Sequence, residues 1–435
     1  MVMKKLIAIS VVFALVAGTA FAEVNVGATT FGKVNVMEGS TKKDTDTFGA
    51  SGDMGRIRLE ASGQNDEETF GGWLRLDAGT YGGIPSAFGY AWWQPIQLIK
   101  FLVGTNGGDG LFSADGFTRW GFYQGAGDIG VVKEGWAFGG AFYGGFGAGG
   151  ATLTITPIEA LAINIGVPFF DGGRAEAVYK QTNAQVSYNI DGIGNLAVTF
   201  EGHYEGPQDN LPRNKKISIA QPKAGEPYYY YKAISGAGSK FYAFFNLSAI
   251  ENLGLNIGAG FTLPVKDEDE IAGVKTTDTY NAPVAVGLGA SYDAGAFGIK
   301  ARVQGEFAQS AKSEASWSGG SSSNEFKGPF VLNADLLPSF AINDSMKVFL
   351  SAGLSLTGEY KLPKEPDPAD PTKTIEKTID SVVGWHINPY FTKSAGGGTF
   401  YAGFRLASAG EKGTAGDGDK ALVTWAVPVG VAFSF

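Results

Sequence analysis

The sequence predicts an all-β protein: a transmembrane antiparallel up-and-down β-barrel of about 16–18 strands, preceded by a cleaved signal peptide. Three observations predict it. Apolar residues recur at every second position through segments of roughly 9–11 residues, the period and length of a strand that crosses a bilayer. Short turn-forming connectors alternate strictly with long polar ones. The last segment alternates in the same way and ends on an aromatic residue, Phe435.

Composition excludes the competing classes. Among 435 residues there are 65 Gly and 13% aromatics but only 18% charged residues, so the chain is neither disordered nor collagen-like. Beyond the first two dozen residues no stretch stays apolar for the roughly 20 positions of a membrane helix. Cys is absent, which removes disulfides, thiolate metal sites and a Cys nucleophile. With a net charge of -9 the chain is a poor nucleic-acid ligand.

The first element, residues 1–22, reads MVMKKLIAISVVFALVAGTAFA. Lys4 and Lys5 precede an apolar run from Leu6 to Ala17, and Ala20-Phe21-Ala22 closes it with a small-x-small pattern. This is a Sec signal peptide cut before Glu23. Residues 23–435 are then a single barrel.

The strands follow in order near 24–36, 54–62, 69–79, 86–94, 97–104, 145–156, 160–168, 178–190, 195–205, 239–250, 253–264, 282–293, 297–308, 327–342, 346–359, 381–393, 398–409 and 419–435. In 253–263, Leu253, Leu255, Ile257, Ala259, Phe261 and Leu263 share one face, opposite Asn256 and four glycine or threonine positions. In 297–307, Phe297, Ile299, Ala301, Val303 and Phe307 oppose Lys300, Arg302, Gln304 and Glu306. Connectors such as 94–95, 157–159, 191–194, 251–254, 294–298, 343–345 and 395–398 carry turn chemistry. Those at 37–52, 104–136, 206–238, 264–281, 308–326 and 360–380 are long and polar. Outer-membrane barrels divide periplasmic turns from extracellular loops in this way. An even strand number puts both termini on the periplasmic side. Pro338, Pro389 and Pro428 fall inside strands, where each removes a ladder donor, so bulges or shifted boundaries are expected there.

The final strand places Val423, Trp425, Val427, Val429, Val431, Phe433 and Phe435 on one face. It resembles the signal by which bacterial outer-membrane barrels are handed to the barrel-assembly machinery.

Barrels of 16–18 strands enclose a water-filled hollow, so size alone suggests a pore. Continuing the alternation inward gives a pore-lining set: Arg56, Arg58, Glu60, Arg75, Asp77, Glu201, His203, Glu205, Lys300, Arg302, Glu306 and Arg405. Closure of the last strand on the first gathers Arg56, Arg58, Arg75 and Arg405 into a basic stripe facing an acidic patch around Glu201 and Glu205. Such a field favours anions or carboxylates.

The connector 104–144 is too rich in Phe, Trp and Tyr to stand in water. Folded into the lumen, it would present Asp109, Asp115, Arg119, Trp120, Asp128, Lys133 and Glu134 to a passing solute. By its count it is the third long loop, and it resembles the constriction loop of general porins. The stretch AFGYAWWQPIQLIKFLVG at 87–104 and DGFTRWGFYQ at 115–124 is similar to porin-like outer-membrane proteins of spirochaetes. That resemblance implies location and assigns no chemistry.

Other apparent signals carry less. Gly145–Gly150 spells a dinucleotide fingerprint but precedes a strand instead of opening a helix. Glu201-x-His203-x-Glu205 alternates along a strand as plain wall. Lys266–Glu270 reads as a solvated loop, and Tyr228–Tyr231 as part of a long one. The function expected is passive diffusion of small hydrophilic solutes across the outer membrane, with membrane lipid around the barrel, no enzyme activity, no cofactor or metal, no nucleic-acid partner, and a homotrimer as the assembly that general porins suggest. A structural or adhesive surface protein with a plugged barrel is the alternative.

Overall fold

In the computed structural model the described residues are 23–40, 49–79, 86–105, 150–168, 180–202, 239–271, 273–281, 284–361, 365–367, 370–376, 378–408 and 423–434. The signal segment 1–22 and most of connector 104–144 lie outside them, as do Tyr228–Tyr231 and Phe435.

The wall strands are β1 (Glu23–Ser40), β2 (Gly49–Gln64), β3 (Phe70–Gly79), β4 (Ser86–Ile96), β5 (Ile99–Thr105), β6 (Gly150–Ile158), β7 (Leu161–Pro168), β8 (Asn183–Ile190), β9 (Gly194–Glu201), β10 (Lys240–Ile250), β11 (Leu253–Thr262), β12 (Val284–Ala294), β13 (Phe297–Phe307), β14 (Val331–Asn343), β15 (Met346–Thr357), β16 (Val382–Ala395), β17 (Gly398–Gly403 continued by Arg405–Ser408) and β18 (Val423–Ser434). Each pairs antiparallel with its sequence neighbours. β1 closes the sheet: Val26 lies opposite Ala61 of β2, and Thr30 opposite Phe433 of β18. The two pieces of β17 share both neighbours, so the wall has eighteen strands. Closure leaves no ladder edge, the condition for a sheet to survive in hydrocarbon.

Alternation decides which face is which. Val303 and Leu336 are each 42% exposed, whereas Arg302 and His386 on the other face are each 1% exposed. The apolar face is therefore the outside and the polar face the inside. In water, a belt that includes Leu59, Val103, Phe261, Leu354 and Phe433 in exposed positions would be costly. A bilayer removes that cost, and the barrel spans one.

Turn chemistry sets the short ends. Asn252 (φ 64°) and Gly295 (φ 73°) adopt the left-handed conformation in two-residue turns. Asp293 accepts a hydrogen bond from the Gly295 amide at 3.1 Å, and Asn343 one from the Ser345 amide at 3.0 Å. One turn differs from expectation: β4 runs through Pro95 to Ile96, with a register shift between Trp93 and Ile96, and turns at Gln97-Leu98.

The largest correction concerns the long connectors. Segments 264–281, 308–326 and 360–380, expected as long polar loops, contain strands. Hairpins Val265–Ile271/Val274–Asn281 and Ser310–Trp317/Gly320–Lys327 join Tyr360–Lys361 and Thr378–Ile379 in a second sheet beyond the barrel rim. Lys266–Glu270 is thus strand, not loop. The period-two signal is hidden there because polar residues fill most positions of both faces and only a small cluster, Val274 and Ala315 under Trp317, is apolar and buried, while the Thr- and Ser-rich stretches keep strand propensity. Boundaries shift elsewhere too: β8 begins at Asn183 and β9 ends at Glu201, where the Gly202 amide turns back to donate to Thr182 O at 3.1 Å.

The three prolines behave differently. Pro428 faces Asn35, and the register slips between Asn35 and Met37, so Val36 bulges out as expected. Pro389 causes a gap instead. Phe404 donates its amide to Pro389 O at 2.9 Å, but Pro389 has no N–H to return, and β17 is interrupted at Phe404. Pro338 stands opposite Ile299 of β13 in unbroken register, while on its other side the pairing with β15 skips Leu337 and Pro338 without a change of register.

Candidate functional site: the inner wall of the barrel

Two ladders of inward side chains dominate the described wall. On β2 and β3, Arg58 lies in register with Asp77, and Glu60 with Arg75. Arg58 donates from Nε to Asp77 Oδ1 at 2.8 Å, and Arg75 from Nη2 to Oδ2 at 2.6 Å. One carboxylate thus sits between two guanidiniums, with Glu60 beside Arg75 as the second acid of the arc. Arg405, half-buried on β17, is in register with Ala426, which in turn faces Glu38 of β1. Glu38 itself accepts from Asn35 Nδ2 at 2.7 Å and Ser51 Oγ at 2.9 Å.

The second ladder crosses β13 to β16. Arg302 faces Asp335, Asp335 faces Gly353, and Gly353 faces His386. Arg302 donates from Nε to Asp335 Oδ2 at 2.9 Å, with side chains 0% and 1% exposed. His386 Nε2 lies 3.7 Å from Asp335 Oδ1 and 3.3 Å from Ser351 Oγ. Ser, His and Asp therefore meet, but not as a nucleophilic triad: there the acid and the hydroxyl take opposite ring nitrogens, whereas here both approach Nε2. Gly353 makes the meeting possible. A Cβ there would overlap the His386 ring and come within 2.5 Å of Asp335 Oδ1. Above this rung Ser355 donates to Asn333 at 2.7 Å, and Gln304 to Glu306 at 2.8 Å.

Aromatic rings cover part of the inner wall. Phe349 and Tyr390 stack with centroids 4.6 Å apart and planes at 4°. On β3 to β5, Trp73 lies 5.4 Å from Tyr90, Arg75 sits 5.5 Å from the Phe88 centroid, and Lys100 Nζ lies 4.2 Å over Trp92.

Of the residues expected to line a pore, Arg58, Glu60, Arg75, Asp77, Glu201, Lys300, Arg302, Glu306 and Arg405 belong to the inward face. Arg56 lies in β2 opposite Phe31 and Gly79. His203 and Glu205 lie outside the described residues, as do Asp109, Asp115, Arg119, Trp120, Asp128, Lys133 and Glu134. Of the two acids of the expected acidic patch, Glu201 is held 3.6 Å from Lys240 on the next strand, and Glu205 lies outside the described residues. Asp335, Ser351, His386 and Asn388 escaped the sequence reading although alternation alone puts them inward. What the sequence lacked was the register that brings them together. Among the described residues no group of three or more His, Asp or Glu side chains is placed to hold a metal ion.

No protein-family model matches the chain, and no curated protein does. Solved structures do. An anion-selective porin from Comamonas acidovorans aligns with 95% of this chain and 100% of its own at 12% identity and a TM-score of 0.39. OmpF of Salmonella typhi, in complex with daunomycin, aligns with 95% and 97% at 11% identity and 0.47. The outer membrane channel DcaP of Acinetobacter baumannii aligns with 96% and 98% at 10% identity and 0.46. At such identities and scores the likeness transfers neither residue roles nor a solute.

Proposed function

We propose that residues 23–435 form a passive diffusion channel of the bacterial outer membrane for small hydrophilic solutes, with a preference for anions and carboxylates. No catalytic turnover or cofactor is part of this reading. The observation that carries it is the polar, cation-rich inner face of a closed eighteen-stranded wall. Lys33, Arg58, Arg75, Lys100, Lys240, Lys300, Arg302, Lys347 and Arg405 share the inward parity, against Glu38, Glu60, Asp77, Glu201, Asp293, Glu306 and Asp335. Focusing by low-dielectric walls raises the local concentration of the opposite charge. Export by the 1–22 signal, assembly through the strand ending in Phe435, constriction by 104–144 and a homotrimeric state complete the proposal.

Purified protein in planar bilayers under a salt gradient tests it. The expected result is ohmic current with a reversal potential of the sign that chloride selectivity gives. Absence of current in every refolding condition would defeat the channel.

A second reading, a surface protein with a filled barrel, draws on one observation: Arg302, Gln304, Asn388 and His386 are each at most 1% exposed. Its occasion is the sheet above the rim, which offers a partner surface. Deleting 265–281 or 310–327 would abolish partner binding and leave permeability unchanged if this second reading holds.

A further inference from the structure

Strands β3 to β5 carry an inward patch of aromatic rings and one ammonium. Trp73 and Tyr90 face each other in register, and Trp92 follows two residues after Tyr90 on the same face of β4. Lys100 stands on β5 beside them, diagonal to Trp92, whose indole its ammonium covers at 4.2 Å. These four side chains are half-buried, in contrast to the nearly inaccessible Arg302 and His386. No carboxylate lies within ion-pair distance of Lys100 among the described residues. The neighbouring cation differs: Arg75, over Phe88, is already bonded to Asp77.

A wall with ring faces and an ammonium that no acid among the described residues offsets matches a solute that carries a flat ring and a negative charge in one rigid unit. We propose that this patch is a binding subsite for aromatic carboxylates, with the solute ring against Tyr90 and Trp73 and its carboxylate on Lys100. The site lies near the short-turn mouth, because Lys100 is the second residue of β5 after the turn at 97–98. Ring stacking supplies affinity that an aliphatic acid of the same charge and similar size lacks. The ammonium supplies the anion requirement. This rests on the channel reading and narrows its solute class.

The probe is benzoate, with cyclohexanecarboxylate as the aliphatic control, each added to either side of single channels carrying potassium chloride current. Benzoate is expected to block at a concentration about fivefold lower than cyclohexanecarboxylate, and more strongly from the short-turn side. Lys100→Gln weakens block by both acids, and Tyr90→Leu removes the difference between them. Each variant is scored against its own open current, so a changed conductance does not confound the ratio. Equal block by the two acids in the parent protein, or benzoate block untouched by both substitutions, overturns the subsite while leaving the channel standing. A protein that passes no current defeats the channel itself, which separates the two failures.

Discussion

Arg302 of β13 donates from Nε to Asp335 of β14 at 2.9 Å, with both side chains shut away from solvent on the inner wall. A buried pair of this kind adds little net stability, since desolvation offsets the attraction, yet removing one partner strands a charge.

Asp335→Asn is therefore expected to destabilise the folded barrel by about 3–5 kcal/mol. Joint replacement by Arg302→Met and Asp335→Leu recovers most of that loss. Denaturant unfolding of the refolded protein, followed by the gel shift between folded and unfolded forms, measures both. An additive double variant would show that the two groups act independently.

Gly353 sits between Asp335 and His386 in the same rung. Gly353→Ala drives a methyl into the His386 ring and is expected to cost about 1–3 kcal/mol. In a His386→Ala background the cost falls but does not vanish, because the same methyl still meets Asp335 Oδ1 at 2.5 Å. Equal costs in both backgrounds would assign the effect to Asp335 or the backbone, not to the ring.

Pro389 leaves the Phe404 carbonyl without its ladder donor. Pro389→Ala supplies the missing N–H, and unfolding midpoints should rise by the equivalent of about 0.5–1.5 kcal/mol. Slower amide exchange at the neighbouring positions of β17 is the local signature. Unchanged or faster exchange there would mean that the gap has another cause.

Asp77 holds two guanidiniums, so it masks cation character on the arc of β2 and β3. Asp77→Asn is expected to raise the anion-to-cation permeability ratio and Arg75→Gln to lower it. A charge acting at 4 Å through water is worth about 1 kcal/mol, or about fivefold in local ion concentration. Reversal potentials in a salt gradient read the sign directly. Identical potentials in both variants would remove this arc from the permeation path.

Above the rim, a hydrogen bond from Lys266 at 2.6 Å and its charge hold the Glu268 carboxyl below its ordinary value. The contribution is present above the titration of the unfolded carboxyl and is lost as pH falls through the lowered folded value. Both groups are exposed, so salt screens the effect. Carboxyl NMR titration is expected to show the Glu268 midpoint rising in Lys266→Ala. A midpoint that stays put would place the pair apart in solution.

Strand number, the closed barrel, and the assignment of Val303, Leu336 or Leu354 to the outside and Arg302, Lys300 or Arg58 to the inside were legible in the sequence. They depend only on a period of two and on the length needed to cross a bilayer, both properties of local chain geometry. Rim hairpins such as 265–281 were not legible, because only Val274 and a few neighbours are buried there and polar residues fill most positions of both faces, which leaves no sustained apolar alternation. Nor was the meeting of Arg302, Asp335, Ser351 and His386, or the placement of Lys100 over Trp92. Partners on different strands meet only through register, and register is set by turns, bulges and closure acting on the whole sheet at once. The sequence by itself determined which side each residue faces; the tertiary structure decided which residues stand together there.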